Sequence, residues 1–539
     1  MGCELKKMQY WRLYLLVLVL GIGGTFQFGL QISIISSSSA YVQKFINETW
    51  ILRYEVPVED VASQLIWSFV VAILSIGAIV GAICSGWLTA HIGRKKNLLI
   101  NNIVGVVAAL FVVFSRLADS FEMILVGRFL FGFNIANGIN THVMYIVEAS
   151  PRQLRALLIL TCSIFLAFGK VIGQILSIRE LMGTEPLWQY LLAVGAVPAI
   201  IQFVGLLFFP EAPRYLYISK GDSEGAIKAL QWLWQEDDLK IELEDMEKDK
   251  ENARGQVNKS VKDVFTSQCV RWQLLMLIIP CAANQLCGFN ALYFYAFDIF
   301  HESGVQEDQI HYFSIGIGII EFSTVTLSIL YIDRAGRRNL MGYGYLLMAV
   351  SMSVLTGTLS YKHINSTIPN VNIGLIFCTI GIYGLGPAAV RIVLPSELFL
   401  QAWRSSAFVI IGTVTWATLF IVGISFGYIV DGLGQYCFLI FVVYCVFCGV
   451  FVLYFLPETK GKTIVQITED FQKLNFKNRG SDDNATVNVT TVSASIDTES
   501  IDTKNIDTES IDTKSTDTKS DDTESTATDS TLPDVQVDV

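Results

Sequence analysis

The feature that most constrains the fold of this chain is a series of long apolar blocks. An α-helix needs roughly 20 apolar residues to cross the hydrocarbon of a bilayer, and soluble proteins carry about 25% charged residues. In this chain only 16% of the residues are charged. Eleven apolar blocks are long enough to be spans, and the more polar stretch Phe121–Val147 is one further predicted span. We therefore expect an all-α membrane protein with about twelve transmembrane helices. The remaining blocks are Leu13–Gly29, Leu65–Leu88, Leu98–Phe114, Leu157–Ile178, Trp188–Phe209, Gln273–Phe300, Tyr312–Ile332, Leu340–Leu359, Ile373–Leu394, Ala407–Ile429 and Tyr436–Leu456.

Two polar segments divide the chain. Residues 210–271 are charged and helix-prone, and they separate six predicted spans (1–209) from six others (272–456). Residues 457–539 form a polar tail, in which residues 481–539 contain 12 Asp, 3 Glu and 3 Lys and so carry a net charge of −12. The tail repeats acidic pentapeptides, so we predict that it is disordered and allow that it binds a cytoplasmic partner.

The short loops predict the orientation. If the N-terminus is cytoplasmic, twelve Lys and Arg residues of short segments lie inside and five lie outside, as the positive-inside rule requires. Both termini are then cytoplasmic. The sequon at Asn47 lies outside, where it can be glycosylated.

Charged clusters recur six spans apart. Gly93-Arg94-Lys95-Lys96 matches Asp333–Arg338, and the Pro-Glu segments at Pro210 and Pro457 match each other. Paired acids and bases at the ends of two six-span halves predict ion pairs that hold the halves together in one state of a two-state molecule. The candidate gating residues are Arg94, Glu148, Arg155, Arg214, Asp333, Arg337, Glu397, Arg404 and Glu458.

With these motifs, the chain resembles an animal facilitative hexose transporter of the sugar porter family, in the major facilitator superfamily. Further support comes from Gly127-Arg128, from residues 284–290 (Asn-Gln-Leu-Cys-Gly-Phe-Asn) and from Gly384-Leu385-Gly386-Pro387. The resemblance implies two six-helix halves, a cytoplasmic helical linker, alternating access and a plasma-membrane location. The run Ala389–Ile392 and residues 23–29 resemble the subgroup that contains fructose and urate transporters.

The resemblance also implies a solute site. Amides suit sugar hydroxyls and an aromatic face suits the ring. Several positions depart from the family pattern, including Ser163, Asn284, Thr415 and Glu321. The predicted substrate-binding residues are Gln285, Asn290, Asn284, Trp416, Ser163, Gln31, Thr415, Glu321, Lys170 and Tyr383.

Two charged residues within predicted spans leave the identity of the solute undecided. Lys170 and Arg391 occupy positions that are uncharged in well-studied relatives, and a charge at the bilayer centre costs at least ~2.5–3.5 kcal/mol unless it is paired or hydrated. One hypothesis pairs Lys170 with Glu321 and leaves Arg391 to reach the cytoplasmic mouth. The other is a basic cavity for an anion such as urate.

The mode of transport is predicted from the first span. It carries Leu30-Gln31 where proton-driven sugar porters have an acid, so we expect passive uniport of a hexose, fructose or glucose. A non-transporting sugar sensor is the rival hypothesis. We expect no enzyme, cofactor, metal site or nucleic-acid partner: the Cys445/Cys448 pair lacks the further ligands of a zinc site.

Overall fold

The computed structural model describes residues 10–236, 239–255, 261–267, 270–294, 300, 305–360, 368–399, 401–460, 462 and 464–475. The acidic tail beyond residue 475 and its predicted repeats lie outside this part of the chain. Within it, every regular element is a helix. This agrees with the predicted all-α class.

The first half contains nine helices, of which eight build six spans and the remaining one, Ser39–Tyr54, carries the sequon at Asn47. The first span is divided at Gly24 and the sixth at Val194–Gly195, and in both cases the two parts remain consecutive. The helices are α1 (Trp11–Gly23), α2 (Thr25–Ser37), α3 (Ser39–Tyr54), α4 (Asp60–Ile92), α5 (Arg94–Phe114), α6 (Glu122–Ala149), α7 (Arg152–Leu176), α8 (Trp188–Ala193) and α9 (Ala196–Leu207).

A π-helical turn (Tyr215–Lys220) and three short helices follow, and then the second half. Its seventh and tenth spans are each divided, at Cys287–Gly288 and at Gly386. The helices are α10 (Ser223–Trp234), α11 (Lys240–Gly255), α12 (Val261–Thr266), α13 (Arg271–Leu286), α14 (Phe289–Phe294), α15 (Glu307–Ala335), α16 (Arg337–Ser360), α17 (Ile368–Leu385), α18 (Pro387–Leu398), α19 (Gln401–Leu433), α20 (Cys437–Phe455) and α21 (Ile464–Asn475).

Among the described residues, eleven helical segments are long and apolar enough to cross a membrane. The remaining span is α6, which the sequence also marks as more polar. Its Arg128 is buried and donates to the carbonyl oxygen of Val70 on α4 at 2.7 Å. Pairing the guanidinium with a backbone acceptor lowers the cost of holding it inside the bundle.

We name the two ends of the helical bundle by the segments that they carry. The motif end carries the turns at Gly93 and Gly336, and the sequon end carries α3 with Asn47. At the sequon end, Lys44 Nζ lies 2.6 Å from a Glu185 carboxylate oxygen. Their hydrogen bond raises the pKa of Lys44 and lowers the pKa of Glu185, because each charge stabilises the other.

Helices of opposite halves pack against each other along two seams. α4 lies against α19, and α7 lies against α15. In addition, α2 contacts α14. The divided spans also reach the first half, because α18 contacts α7 just as α14 contacts α2. In transporters built from repeats, broken helices at the interface of the repeats hold the binding groups.

Candidate functional site

The break in the seventh span brings three amides together. Gly288 has φ +80°, and a Cβ at this position would meet the ring of Phe441 at 2.5 Å, so the turn requires glycine. Gln285 precedes the turn and Asn290 follows it, and the Asn290 amide donates to Gln285 Oε1. Asn284 Oδ1 accepts from the Tyr383 hydroxyl at 2.7 Å. All four side chains are buried at the helix break, and we call this hydrogen-bonded group the polar surface.

Aromatic rings flank these amides. The ring of Phe289 stacks on that of Tyr383, with centroids 3.7 Å apart. Trp416 on α19 meets Phe28 on α2 edge to face at 5.0 Å, which is a contact between the two halves. The site therefore combines amides with flat apolar faces, a combination that suits a ring bearing hydroxyl groups.

A buried ion pair joins the halves beside the amides. Lys170 Nζ on α7 lies 2.9 and 3.0 Å from the two Glu321 oxygens on α15, and the side chains are only 1% and 3% exposed. The Tyr293 hydroxyl donates to Glu321 at 2.5 Å. The ammonium also lies over the rings of Phe289 and Tyr293, at 4.1 and 4.3 Å. The prediction that Lys170 pairs with Glu321 is confirmed.

Several other predicted site atoms have no hydrogen-bond partner among the described residues. They are Ser163 Oγ, Thr415 Oγ1 and Arg391 Nε. A buried polar atom without a partner is costly unless water or a ligand satisfies it. Gln31 Oε1 likewise has no hydrogen-bond partner among the described residues, while the Gln31 amide nitrogen donates to the carbonyl oxygen of Leu192 on α8.

The sequence reasoning missed two aromatic residues of this site. Phe289 and Tyr293 were not predicted, although both stand in or next to the 284–290 motif. An aromatic residue in an apolar span gives no local signal of function, because most such residues only fill the core.

The motif end of the first half is organised around one turn. Glu211 Oε1 accepts from the backbone N–H groups of Arg94 and Lys95, both at 2.8 Å. The Arg94 guanidinium pairs with Glu148 at 2.6 Å and lies over the ring of Tyr215 at 4.6 Å. A carboxylate at the N-terminus of α5 also complements the helix dipole.

The second half repeats this arrangement. Glu458 Oε1 accepts from the Arg337 N–H at 2.9 Å, and the Arg337 guanidinium pairs with Glu397 at 3.2 Å. Thr459 donates to Glu397 at 2.6 Å. The sequence repeat therefore corresponds to equivalent contacts in the two halves.

In this structure these ion pairs join helix ends of the same half, and the contacts between the halves expected in the other state stay a prediction. The pairing within one half has a local reason, because each Arg follows a glycine turn that directs it to the neighbouring helix end. Arg214 pairs with Glu242 at 2.6 Å and with Asp245 at 2.9 Å, and Arg155 lies 4.0 Å from Glu242, so both contact α11. The side chains of Asp333 and Arg404 lie outside the described set.

The two motif-end turns yield a first prediction. Gly93 and Gly336 have φ of +94° and +84°, and an added Cβ would lie 2.6 and 2.5 Å from Glu211 and Glu458. We expect Gly93→Ala and Gly336→Ala each to cost about 1–3 kcal/mol of stability, measured as a lower thermal midpoint. Gly357→Ala on α16 is the control, because nothing lies within 4 Å of its Cβ position. Equal midpoints for all three variants would contradict the prediction.

Comparison with known proteins shows the family of this chain. The family model described as "Sugar (and other) transporter" matches residues 16–471. This chain belongs to the sugar transporter family. The resemblance inferred from the sequence motifs is thereby confirmed.

Named relatives of this sugar transporter family member share most of its length. The human solute carrier family 2 facilitated glucose transporter member 11 is 38% identical over 87% of the chain and 94% of its own length. Member 9 from mouse is 36% identical over 88% of each chain. Member 5 from sheep is 37% identical over 86% of this chain and 92% of its own. These relatives are transporters, in agreement with the expectation that the protein is not an enzyme.

Solved structures agree on the fold. The xylose transporter XylE from E. coli, in a partially occluded inward-open conformation, has a TM-score of 0.71 at 21% identity and covers 84% of this chain and 99% of its own. Other similar chains are also XylE, described as a major facilitator superfamily protein. This family member has the major facilitator fold and is an integral membrane protein.

Proposed function

We propose that the chain is a facilitative transporter that moves a neutral hexose, with fructose and glucose as the first candidates, by alternating access. The observation that carries the proposal is the group of buried amides of Gln285, Asn290 and Asn284 at the break of the seventh span, next to the stacked rings of Phe289 and Tyr383. Relatives named as facilitated glucose transporters support it.

The charge balance of the site favours a neutral solute. Lys170 places a basic group beside the amides and aromatic rings, and Glu321 neutralises it at 2.9 Å. A desolvated ion pair of this geometry has little charge left to attract an anion. Ser163 and Thr415 offer hydroxyls without hydrogen-bond partners among the described residues, which suit the hydroxyls of a sugar.

The proposal also covers the mode of transport and the cellular location of the protein. Uniport is supported by Gln31, because an amide in the first span cannot cycle a proton. We place both termini in the cytoplasm of a plasma-membrane protein, with Asn47 glycosylated outside. Asn47 Oδ1 accepts from the Val58 N–H at 3.2 Å. This bond does not use the side-chain nitrogen of Asn47, which is the atom that a glycan is attached to.

Urate is the second candidate, and Arg391 is the observation that favours it. The side chain is half-buried on α18, and its Nε has no hydrogen-bond partner among the described residues. Its helix α18 packs against α7, the helix that carries Lys170, so Arg391 stands on an element that adjoins the proposed site. An anion could take that donor.

A substrate panel tests the proposal. The full chain in proteoliposomes should show saturable net flux of fructose or glucose, with urate at background and no dependence on a pH gradient. Arg391→Gln is the matched variant, and it should leave hexose flux within about twofold because the sugar does not need the charge. Urate flux that Arg391→Gln abolishes would replace the hexose proposal, and binding without flux would favour a sensor.

A further inference from the structure

The seam between α7 and α15 carries contacts between the two halves toward the sequon end of the bundle. Phe168 and Phe322 meet with ring centroids 5.8 Å apart, and the Tyr312 hydroxyl donates to Glu180 at 3.0 Å. The outermost of these contacts is exposed. The buried ion pair Lys170–Glu321 lies between them along the helices.

A small polar cavity lies within the same seam. Its volume is about 20 Å³, and its lining comes from both halves, including Ser33, Gln174, Ser177, Tyr293, His311 and Ser314. Tyr293 connects it to the ion pair, because its hydroxyl lines the cavity and donates to Glu321. The serines at 33, 177 and 314 donate to carbonyls of their own helices. Within the part of the chain that the structure describes, these hydroxyls donate to no group across the seam.

The contacts of this seam differ greatly in the free energy that is needed to break them. The exposed hydrogen bond between Tyr312 and Glu180 separates with little penalty, because water replaces it readily. A buried ion pair is different: until water enters, separation leaves two unpaired charges in an apolar environment. Lys170 would also lose the faces of Phe289 and Tyr293.

We propose that Lys170, Glu321 and Tyr293 form a charge latch that holds the sequon end closed and sets how often the empty carrier opens there. The proposal rests on the proposed alternating access, in which α7 and α15 must separate at this end. Because the latch favours the closed state, a solute arriving from the sequon end meets only the open fraction of carriers. Its apparent affinity from that side falls in proportion to this fraction.

Thiol labelling tests the latch without requiring transport. Ser177 is buried and lines the cavity, so the full chain carrying Ser177→Cys is reconstituted in lipid nanodiscs and treated with a charged maleimide. Adding Lys170→Met, or Lys170→Met with Glu321→Gln, should raise the labelling rate at least about tenfold, because the closed state loses its buried pair. Tyr293→Phe keeps both charges and should give a smaller increase.

The controls separate a latch from general loosening. Tyr312→Phe removes an exposed hydrogen bond of the same seam and should leave the rate unchanged. The same proteins without Ser177→Cys report labelling of native cysteines. Equal rates for the parent, Lys170→Met, the double variant and Tyr293→Phe would overturn the latch. A chain that moves no hexose but shows these rate differences would instead refute the proposed function.

Discussion

Gln285→Leu is expected to reduce hexose uptake at least about tenfold, because the change removes a solute contact and leaves the Asn290 amide without its buried partner. An unsatisfied buried group costs about 1–3 kcal/mol. The Asn290–Gln285 bond and the Tyr383–Asn284 bond hold the polar surface in place. Initial rates of labelled hexose uptake, normalised to the protein at the membrane, measure the effect.

Gln273→Leu is the matched control for this prediction. Gln273 lies on the same helix, is also buried, and stands twelve residues before Gln285 near the motif end. It should leave the uptake rate within about twofold, because it is remote from the solute amides. If Gln273→Leu and Gln285→Leu lower uptake equally, the loss reflects folding of α13 and the proposed site is wrong.

Lys170→Ile is expected to destabilise the protein strongly. Removing one partner of a buried ion pair leaves the other charge uncompensated and costs about 3–5 kcal/mol. Glu321 is 3% exposed and would keep only its bond from Tyr293. The thermal midpoint of the purified protein should fall clearly below that of the parent.

Combining Lys170→Ile with Glu321→Gln should recover most of this loss, because the double variant holds no buried charge and Gln still accepts from Tyr293. Lys44→Ile is the control, since its pair with Glu185 is exposed and should change the midpoint little. Additive losses in the double variant would show that the two residues act independently. Fructose and urate uptake by Lys170→Ile, measured in parallel, tests the basic-cavity hypothesis.

Much of the architecture follows from the sequence. The apolar blocks predicted the spans, and even the polar character of α6 was visible in its composition. The repeat of Arg94 and Arg337 predicted two related halves, which the equivalent contacts of Glu211 and Glu458 bear out. Within this structure the described ion pairs of Arg94 and Arg337 stay inside one half, and residue spacing alone does not reveal which neighbouring helix end a side chain reaches.

The solute site could be predicted only in part. Gln285, Asn290 and Trp416 were found through motifs, but Phe289 and Tyr293 were not. Gln31 stays a predicted member: its amide nitrogen donates to Leu192, and its Oε1 has no partner among the described residues. One span presents residues in all directions, so its sequence does not show which of them face the passage.

The sequence by itself determined that this chain crosses the membrane about twelve times in two related halves, because hydropathy and motif repetition are local properties that need no packing to be read. Only the tertiary structure decided what the charge of Lys170 does. Its partner Glu321 stands 151 residues away, on a helix of the other half. The packing of α7 against α15 brings the two together, and this contact turns an isolated lysine into a neutral buried pair between the halves.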